Sequence, residues 1–377
     1  MILKNKRLLI YYPSNKRSIA MESMVRGLND IGIDIKFLTI AEKGSIHTTL
    51  NQFNIKTFSS PNKIKLGVIR YLINLIHLIF FSYRNKIQVI HSHLQDSNII
   101  AVIAQFFIPA KVIIFRHHFN FQSLFEPNLK RNRNEVIGEK IINNLARIII
   151  VPSESIYQAI ITNEHVYPDK LSVIPYIYDF NEYPKPDKNT VELLRNKYPA
   201  KLRLLMCSRY IKAKRHELAF KIIHELLKEK KLDIILFSLD NGPEFEKMRD
   251  YVEKNDLHDR IILTGYKENV IDYMELCDLL IHPSLYEASN SVVKEMGFMS
   301  KTVAVVKGIG DFDEYIENNL NGFSMNPENT YEEIKKIILS SYHDNVDLKK
   351  IGKNLKNTVE AKYGIKSDLI KRYLNYI

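Results

Sequence analysis

The chain has 377 residues, with 54 Lys and Arg against 43 Asp and Glu, and at roughly 150 residues per domain this length predicts two domains. A content of 45% hydrophobic and 26% charged residues is typical of a folded globular protein and excludes a disordered chain, a collagen-like repeat and a disulfide scaffold. The two cysteines, Cys207 and Cys277, are isolated, which favours a reducing compartment and gives no metal-ligand spacing.

Short apolar strands alternate with helices through residues 1–178, which is the pattern of βαβ units around a parallel sheet. Strands are predicted at 7–12, 34–40, 55–60, 88–93, 111–117, 147–153 and 171–176. Helices are predicted at 18–32, 66–84, 96–107, 134–146 and 154–162. The most apolar stretch, 68–83, is shorter than the roughly 20 residues of a membrane span, and no signal peptide is visible, so we expect a cytoplasmic protein.

Residues 179–190 are polar and contain two prolines, which predicts a linker. Beyond the linker, strands are predicted at 202–208, 233–240, 260–266, 278–284 and 302–308. Helices are predicted at 215–230, 243–255, 269–276, 290–299, 330–342 and 346–362. The sequence therefore predicts an α/β protein of two doubly wound parallel-sheet domains, at 1–178 and 191–355. The C-terminal helices of residues 356–377 are expected to cross back to the first domain.

The segment 278–297, DLLIHPSLYEASNSVVKEMG, places two carboxylates eight residues apart, at Glu287 and Glu295. It predicts a strand, a loop and a helix whose N-cap is Asn290 or Ser291. The first N–H groups of such a helix form an anion site at the carboxyl end of the sheet, and phosphate is the usual anion there. Glu295, one turn further on, is placed to bind a ribose hydroxyl. The alternative interpretation is a capped helix with one solvated glutamate.

A second loop, CSRYIKAKRHE at 207–217, again joins a strand to a helix. Arg209 and Lys214 are five residues apart in it and are able to converge on one diphosphate, Arg209 as a planar fork and Lys214 as a point charge. The alternative interpretation is a solvated basic loop.

Together these residues resemble the retaining GT-B glycosyltransferases of family 4, also called glycosyl transferases group 1, of the bacterial polysaccharide and lipopolysaccharide type. Glu287 and Glu295 match the E-x7-E signature of that family. The other landmarks follow in the family's order: Arg209 with Lys214, Asn241-Gly242-Pro243, LTGY (263–266), CDLLIHPSLYE (277–287), Gly308-Ile-Gly310-Asp311 and NNLNGFSMNP (318–327). The resemblance is strong over 200–330 and weaker upstream, at IHSH (90–93), FRHH (115–118), VPSE (151–154) and VIPYIYD (173–179).

The resemblance implies a GT-B architecture, in which two Rossmann-like domains face a cleft. Residues 1–178 would bind the acceptor and residues 191–355 the nucleotide-sugar donor. The implied reaction is retaining transfer of a hexosyl or N-acetylhexosaminyl group from a nucleotide-diphosphate donor, with a UDP-sugar favoured, to a glycan or lipid-linked glycan of the cell surface. The nucleotide-sugar is a co-substrate, so no cofactor and no metal ion are expected.

Roles on the nucleotide side follow from the resemblance. Arg209 and Lys214 would hold the donor diphosphate and neutralise the departing nucleoside diphosphate. Glu295 would bind the ribose, and Tyr266 would border the base.

Roles on the sugar side also follow from the resemblance. Glu287 would contact the transferred sugar near its anomeric carbon, and His117 would face that sugar across the cleft, with His118 as a rival. The backbone around Asn290 and Ser291 would complete the phosphate cradle.

The elements that depart from the family pattern include two loops. The family's E-G-F-G is replaced by Glu287-Ala-Ser-Asn290, so the side chains of Ser289, Asn290 and Ser291 are expected to make contacts that backbone usually makes. The loop after the first strand, at 12–21, contains no glycine.

Three alternative functions compete with this interpretation. A Rossmann-type NAD(P) enzyme is disfavoured because G-x-G-x-x-G is missing after the first strand. A nucleic-acid partner is not expected, since the basic residues form no recognised binding motif. A sugar-nucleotide epimerase, or an inactive relative on the same fold, stays open because fold does not determine function.

Charge is distributed unevenly along the chain. Residues 1–178 contain 22 Lys and Arg against 11 Asp and Glu, whereas residues 179–377 contain 32 of each. Basic residues flank the apolar helix 66–84 and a Phe-bearing segment: Lys63, Lys65, Arg70, Arg84 and Lys86 for the helix, and Lys130, Arg131 and Arg133 near Phe119, Phe121 and Phe125. The first domain is therefore expected to dock on the anionic inner face of the cytoplasmic membrane. The alternative interpretation is that helix 66–84 is mostly core.

Overall fold

The computed structural model describes residues 6–60, 67–117, 133–365 and 368–377. The chain divides into two compact units. The first comprises Met1–Asn181 and Tyr363–Ile377, and the second comprises Glu182–Lys362. Each unit is built around its own parallel sheet.

The first unit contains a seven-stranded sheet in the order β3-β2-β1-β4-β5-β6-β7. Its strands are β1 (Arg7–Tyr12), β2 (Asp34–Thr39), β3 (Lys56–Ser59), β4 (Val89–His93), β5 (Lys111–Phe115), β6 (Ile149–Val151) and β7 (Leu171–Val173). The helices described between residues 6 and 165 are α1 (Ile19–Asp30), α2 (Ser45–Gln52), α3 (Gly67–Arg84), α4 (Gln95–Ala104), α5 (Arg133–Leu145) and α6 (Glu154–Glu164). Because β1 pairs with both β2 and β4, the strand order reverses between β1 and β4.

The second unit contains a six-stranded sheet in the order β10-β9-β8-β11-β12-β13. Its strands are β8 (Leu202–Cys207), β9 (Ile234–Leu239), β10 (Ile261–Gly265), β11 (Leu279–His282), β12 (Thr302–Val306) and β13 (Phe323–Met325). Its helices are α7 (Lys188–Lys197), α8 (His216–Lys230), α9 (Phe245–Lys254), α10 (Val270–Leu276), α11 (Ser291–Phe298), α12 (Thr330–Tyr342) and α13 (Leu348–Tyr363). The order reverses between β8 and β11, so the loops that follow these two strands meet at one point of the sheet edge.

The last helix, α14 (Leu369–Leu374), belongs to the first unit. Ile370 packs against α1 at Gly27, where an added Cβ would lie 2.5 Å from the Ile370 Cδ1. Leu369 and Tyr373 are buried in the same hydrophobic core as β1 and β2. The C-terminal helix therefore packs into the hydrophobic core that the first strands of the chain form.

The strands are apolar because both faces of each sheet are covered. Every residue of β9, IILFSL, and of β12, TVAVV, is buried. Such continuous Val, Ile and Leu runs are typical of parallel strands with helices on both sides. The predicted class, two Rossmann-like parallel-sheet domains, is confirmed.

Of the elements that the structure describes, two α-helices and one strand were not predicted from the sequence. Helix α7 begins inside the polar stretch 179–190, where Asp187 is its N-cap and accepts a hydrogen bond from the Asn189 N–H. Only Val191 of α7 is buried, so the helix has no apolar periodicity to reveal it. Helix α2 has eight residues and strand β13 three, which is too short for a clear pattern. Among the described residues, no helix combines the length and the hydropathy needed to cross a membrane.

Candidate functional site

The loops after β8 and β11 lie together at the reversal point of the second sheet. The Leu285 N–H donates a hydrogen bond to the Ala213 carbonyl, with N and O 2.9 Å apart, which ties one loop to the other. In open parallel sheets, ligands bind outside the carboxyl ends of the strands at such a point. The second unit therefore has its candidate site between these loops.

Glu287 is the centre of the candidate site. Its carboxylate accepts hydrogen bonds from the Lys214 ammonium group and from His282, whose Nε2 lies 2.5 Å from the Glu287 Oε1. Its side chain is only 11% exposed. Burial opposes ionisation, but His282 and Lys214 outweigh it and lower the pKa of Glu287 to about 2. Glu287 is therefore a carboxylate held in place from two sides.

His282 was missed by the sequence analysis. It is the last residue of β11 and is 2% exposed. The Asn290 Nδ2 lies 3.4 Å from the same ring nitrogen that bonds Glu287. The available signal in the sequence was a histidine at the end of an apolar strand, directly before Pro283. It did not reveal the contact with Glu287, because Glu287 follows only after a turn.

The helix start is defined by Asn290. Its side-chain Oδ1 accepts from the Val293 N–H at 3.0 Å, so the N-cap is Asn290, and Ser291 is the first residue of α11. The cap satisfies one of the first N–H groups of the helix, which leaves fewer of them for a phosphate.

A buried ion pair supports this helix start from behind. The Lys294 Nζ lies 2.7 Å from the Asp311 Oδ2 and 2.9 Å from the Ser289 Oγ, and it also reaches the Asn290 carbonyl at 3.3 Å. The Ser289 hydroxyl donates to the same Asp311 oxygen at 2.7 Å. The sequence analysis named Asp311 only as part of a family landmark and did not consider Lys294. The pair holds the loop between Glu287 and α11 in one conformation.

Gly310 lies directly against Glu287. Its φ of +57° is in the left-handed region, and an added Cβ would stand 2.7 Å from the Glu287 Cβ. A side chain at this position is therefore opposed by both the backbone conformation and the space. Gly308 has a similar φ of +75° but open space around it.

Glu295 lies one turn into α11 and is half-buried. Burial raises the pKa of Glu295, while a hydrogen bond from Tyr183 and the charge of Lys294 oppose that rise. The structure therefore pairs Glu295 with Tyr183, a residue that the sequence analysis did not consider.

Arg209 and Tyr266 are both exposed, after β8 and β10 respectively. Tyr266 is 67% exposed. Within the described part of the chain, Arg209 has no ion-pair partner, whereas Lys214 is paired with Glu287. The structure thus brings Lys214, Glu287 and Asn290 together through His282 and leaves Arg209 and Tyr266 open to solvent.

His117 belongs to the first unit, just beyond β5. Its Nε2 lies 3.1 Å from the His93 Nδ1, and its Nδ1 lies 2.7 Å from the Tyr176 hydroxyl oxygen. Both of its ring nitrogens are thus within hydrogen-bond distance of neighbours in the same unit. Burial, with the charges of His91 and His117, lowers the pKa of His93 well below its usual value. The rival, His118, lies outside the described residues.

In the described ranges, no group of three or more His, Cys, Asp or Glu side chains is arranged to hold a metal ion. The positive groups beside Glu287 are instead Lys214 and the start of α11.

Solved structures show the same fold. HepE of Anabaena, in a crystal structure with UDP-glucose, superposes with a TM-score of 0.78 at 17% identity, covering 99% of this chain and 100% of that one. WaaG, a glycosyltransferase involved in lipopolysaccharide biosynthesis, superposes with a TM-score of 0.70 at 14% identity, covering 99% of both chains. At these identities the likeness concerns the fold alone, which is GT-B.

Family models match each unit separately. Residues 19–182 match Glycosyltransferase Family 4, and residues 193–358 match Glycosyl transferases group 1. Each unit therefore matches a glycosyltransferase family model, and the chain has the GT-B fold.

A curated relative is similar in sequence. An uncharacterized glycosyltransferase of Methanocaldococcus jannaschii, MJ1069, is 27% identical over 256 residues. The match takes in 67% of this chain and 63% of the relative's own length.

Proposed function

We propose that this protein is a retaining glycosyltransferase that moves a sugar from a nucleotide-diphosphate donor to a glycan or lipid-linked glycan. The observation that carries the proposal is the pairing of Lys214 with Glu287 at the reversal point of the second sheet. One group is a cation suited to a diphosphate and the other a carboxylate suited to sugar hydroxyls. A hydrogen bond already joins the two, so a donor bound there would contact both at once.

In this proposal Arg209 and Lys214 bind the diphosphate. Negative charge grows on the leaving nucleoside diphosphate as the glycosidic bond breaks, and nearby cations stabilise it. Arg209 is exposed and has no described ion-pair partner, so it does not have to break an ion pair in order to bind a donor. Lys214 is shared, because the diphosphate competes with Glu287 for its ammonium group. Donor binding then leaves His282 as the protein donor that holds Glu287.

The rest of the donor would lie along α11 and the loop after β10. Glu295 would accept a hydrogen bond from a ribose hydroxyl, and Tyr266 would border the base. Crystal structures of HepE hold UDP and UDP-glucose, which supports a UDP-sugar as the donor of this GT-B relative. The transferred group would be a hexosyl or N-acetylhexosaminyl group.

The proposed reaction retains the anomeric configuration and uses no divalent metal. Arg209, Lys214 and the start of α11 would supply the positive charge that a metal ion otherwise provides. Glu287 would face the anomeric carbon, where positive charge develops in the transition state, and His117 would contact the sugar from the first unit.

The proposed acceptor is lipid-linked or part of the cell envelope. The first half of the chain carries the whole net charge of +11, which favours an anionic surface as a partner. The protein would then work as a peripheral enzyme on the inner face of the cytoplasmic membrane, in polysaccharide or lipopolysaccharide synthesis. The likeness to WaaG supports this role at the level of fold.

The deciding experiment is a thermal-shift screen of UDP-, GDP- and ADP-sugars. A ligand present at about 100 times its Kd raises stability by about 2.7 kcal/mol, so the true donor stands out. Proton NMR of the product of that donor then gives the anomeric configuration, and excess EDTA tests metal dependence. An inverted product contradicts the retaining reaction, and turnover restored only by Mg²⁺ or Mn²⁺ contradicts the metal-free one. A donor that binds and is epimerised, or binds without reacting, points to an epimerase or an inactive relative.

A further inference from the structure

Helix α3 presents an apolar stripe to solvent. Its most exposed large side chains are Val68 and then, every three or four residues along one face of the helix, Ile69, Leu72, Ile76, Phe80 and Tyr83. Each of the six is more than half exposed, with Val68 at 84% and Phe80 at 61%. Contiguous apolar surface of this kind is rare on a monomer and marks an interaction site.

The apolar stripe is not part of the hydrophobic core, because α3 buries its opposite face. Asn74, Leu78 and Phe81 are buried on the side that packs towards the sheet. The apolar surface continues just beyond the end of α4, where Phe106 and Phe107 are 60% and 56% exposed. The Tyr83 hydroxyl donates to the Phe107 carbonyl at 2.9 Å, which joins the two parts. We call the six α3 residues with Phe106 and Phe107 the α3 apolar face.

Basic residues line one end of the α3 apolar face. Helices α3, α4 and α5 end at the edge of the sheet where β4, β5 and β6 begin. The connections there, residues 84–88, 105–111 and 146–148, carry four exposed basic residues and no acidic one: Arg84, Lys86, Lys111 and Arg147. At the opposite end, Asp96 is neutralised by an ion pair with Arg70 at 2.5 Å.

From this geometry we propose that the α3 apolar face docks on an anionic lipid bilayer. The proposal rests on the proposed function in one respect, since it supplies the membrane on which a lipid-linked acceptor would be met. Leu, Ile and Phe side chains insert below the headgroups, aromatic residues favour the interface, and Lys and Arg are attracted to an anionic surface. The α3 apolar face provides the first two kinds of residue, and the basic residues at its end provide the third.

A second copy of the chain fits this face less well. A two-fold interface brings the same patch of both copies together. The basic residues of the two copies would then face each other at its centre, or lie at its rim without an acidic partner. The three connections offer no acidic residue as a counterpart. An anionic bilayer complements the apolar stripe and the basic edge at the same time.

The chain contains no tryptophan, so a single introduced one reports insertion without background. We expect Phe80→Trp to show a blue-shifted emission and quenching by brominated lipid with phosphatidylglycerol vesicles. With phosphatidylcholine vesicles we expect neither. The matched control is Leu193→Trp, at a residue of α7 that is 71% exposed and lies in the second unit, and its emission is expected not to change. An unchanged spectrum of Phe80→Trp, or equal changes in both variants, overturns the proposal.

Substitutions then test the two parts of the face. Ile76→Glu is expected to weaken partition into anionic vesicles at least about tenfold, because an ionised carboxylate replaces buried apolar surface. Leu193→Glu makes the same kind of change in the second unit and is expected to have no effect. Arg84→Gln with Lys86→Gln is expected to weaken partition about tenfold or more and to flatten its dependence on ionic strength. The control pair Lys228→Gln with Lys230→Gln removes the same charge from α8.

Two further measurements separate this proposal from its rivals. Light scattering of the free protein tests for a second copy, and a dimer that Ile76→Glu dissociates, without vesicle binding by the wild type, overturns membrane docking. Donor binding by thermal shift is measured on every variant and is expected to stay at the wild-type value. Vesicle binding without sugar transfer refutes the proposed function alone, and transfer to a soluble acceptor without vesicle binding refutes the docking alone.

Discussion

The ammonium group of Lys294 and the carboxylate of Asp311 lie 2.7 Å apart, with their side chains 0% and 1% exposed. Since removal of either charge leaves the other buried and unpaired, we expect Lys294→Met to lower the free energy of unfolding by about 3 to 5 kcal/mol. The double variant Lys294→Met with Asp311→Leu removes both charges and is expected to recover most of that loss. Urea unfolding followed by circular dichroism measures both. A Lys294→Met variant as stable as the wild type would mean that the pair contributes nothing.

The donor-site assignment predicts a split between binding and turnover. Arg209→Ala and Glu295→Ala are each expected to weaken donor binding about 10- to 100-fold, since each loses a charge-assisted hydrogen bond. Glu287→Ala is expected to lower kcat about 100- to 1,000-fold with a smaller change in binding, because charge near the anomeric carbon appears only in the transition state. Calorimetry gives Kd, and initial rates give kcat. Lys230→Ala on α8 is the control, and wild-type kcat/KM in Arg209→Ala or Glu295→Ala contradicts the assignment.

The contact between Gly310 and Glu287 predicts a difference between two glycines. Gly308→Ala and Gly310→Ala both place a Cβ at a positive φ, and such a residue costs of order 1 kcal/mol or more. Only at Gly310 does the new Cβ also meet Glu287, 2.7 Å away. We therefore expect both variants to lose stability but only Gly310→Ala to lose kcat, by about tenfold or more. Equal rates in the two variants would show that Glu287 tolerates displacement.

The lowered pKa of Glu287 predicts a pH-dependent stability. A carboxylate that stays ionised in the folded state contributes stability above its ordinary pKa of 4.5 and loses it as the pH falls towards about 2. Glu287→Gln is therefore expected to be less stable than the wild type at pH 7, by on the order of 2 to 3 kcal/mol, with the difference shrinking below pH 4.5. Thermal unfolding across that range measures the difference.

Glu295 provides the opposite case for the same measurement. Because burial raises the pKa of Glu295, its ionised form costs folding stability above that pKa, and the cost falls as the pH drops. The stability of Glu295→Gln relative to the wild type is thus expected to be higher at pH 7 than at pH 4. Parallel pH trends in Glu287→Gln and Glu295→Gln would contradict at least one of the two assignments.

The sequence predicted what depends on local pattern. Apolar runs such as IILFSL (234–239) located the strands, and the polar break near 179–190 located the change between the two sheets. The spacing of Glu287 and Glu295, with Asn290 between them, located the helix start correctly. Each of these features is encoded within a dozen neighbouring residues.

Long-range pairings were not predictable in the same way. Lys294 meets Asp311 across 17 residues and Lys214 meets Glu287 across 73, and no periodicity links such positions. The apolar composition of α3 had also allowed it to be mostly core. The buried face of α3 is decided by how the sheet and α4 pack against it, and Leu72, Ile76 and Phe80 remain exposed to solvent.

The position of α14 has a consequence for the order in which the chain can fold during synthesis. A ribosome delivers the seven strands of the first unit long before it delivers Ile370 and Tyr373, with the whole of the second unit made in between. Until then, the groove beside Gly27 of α1 stays uncovered. The first domain to emerge is thus the last to be finished.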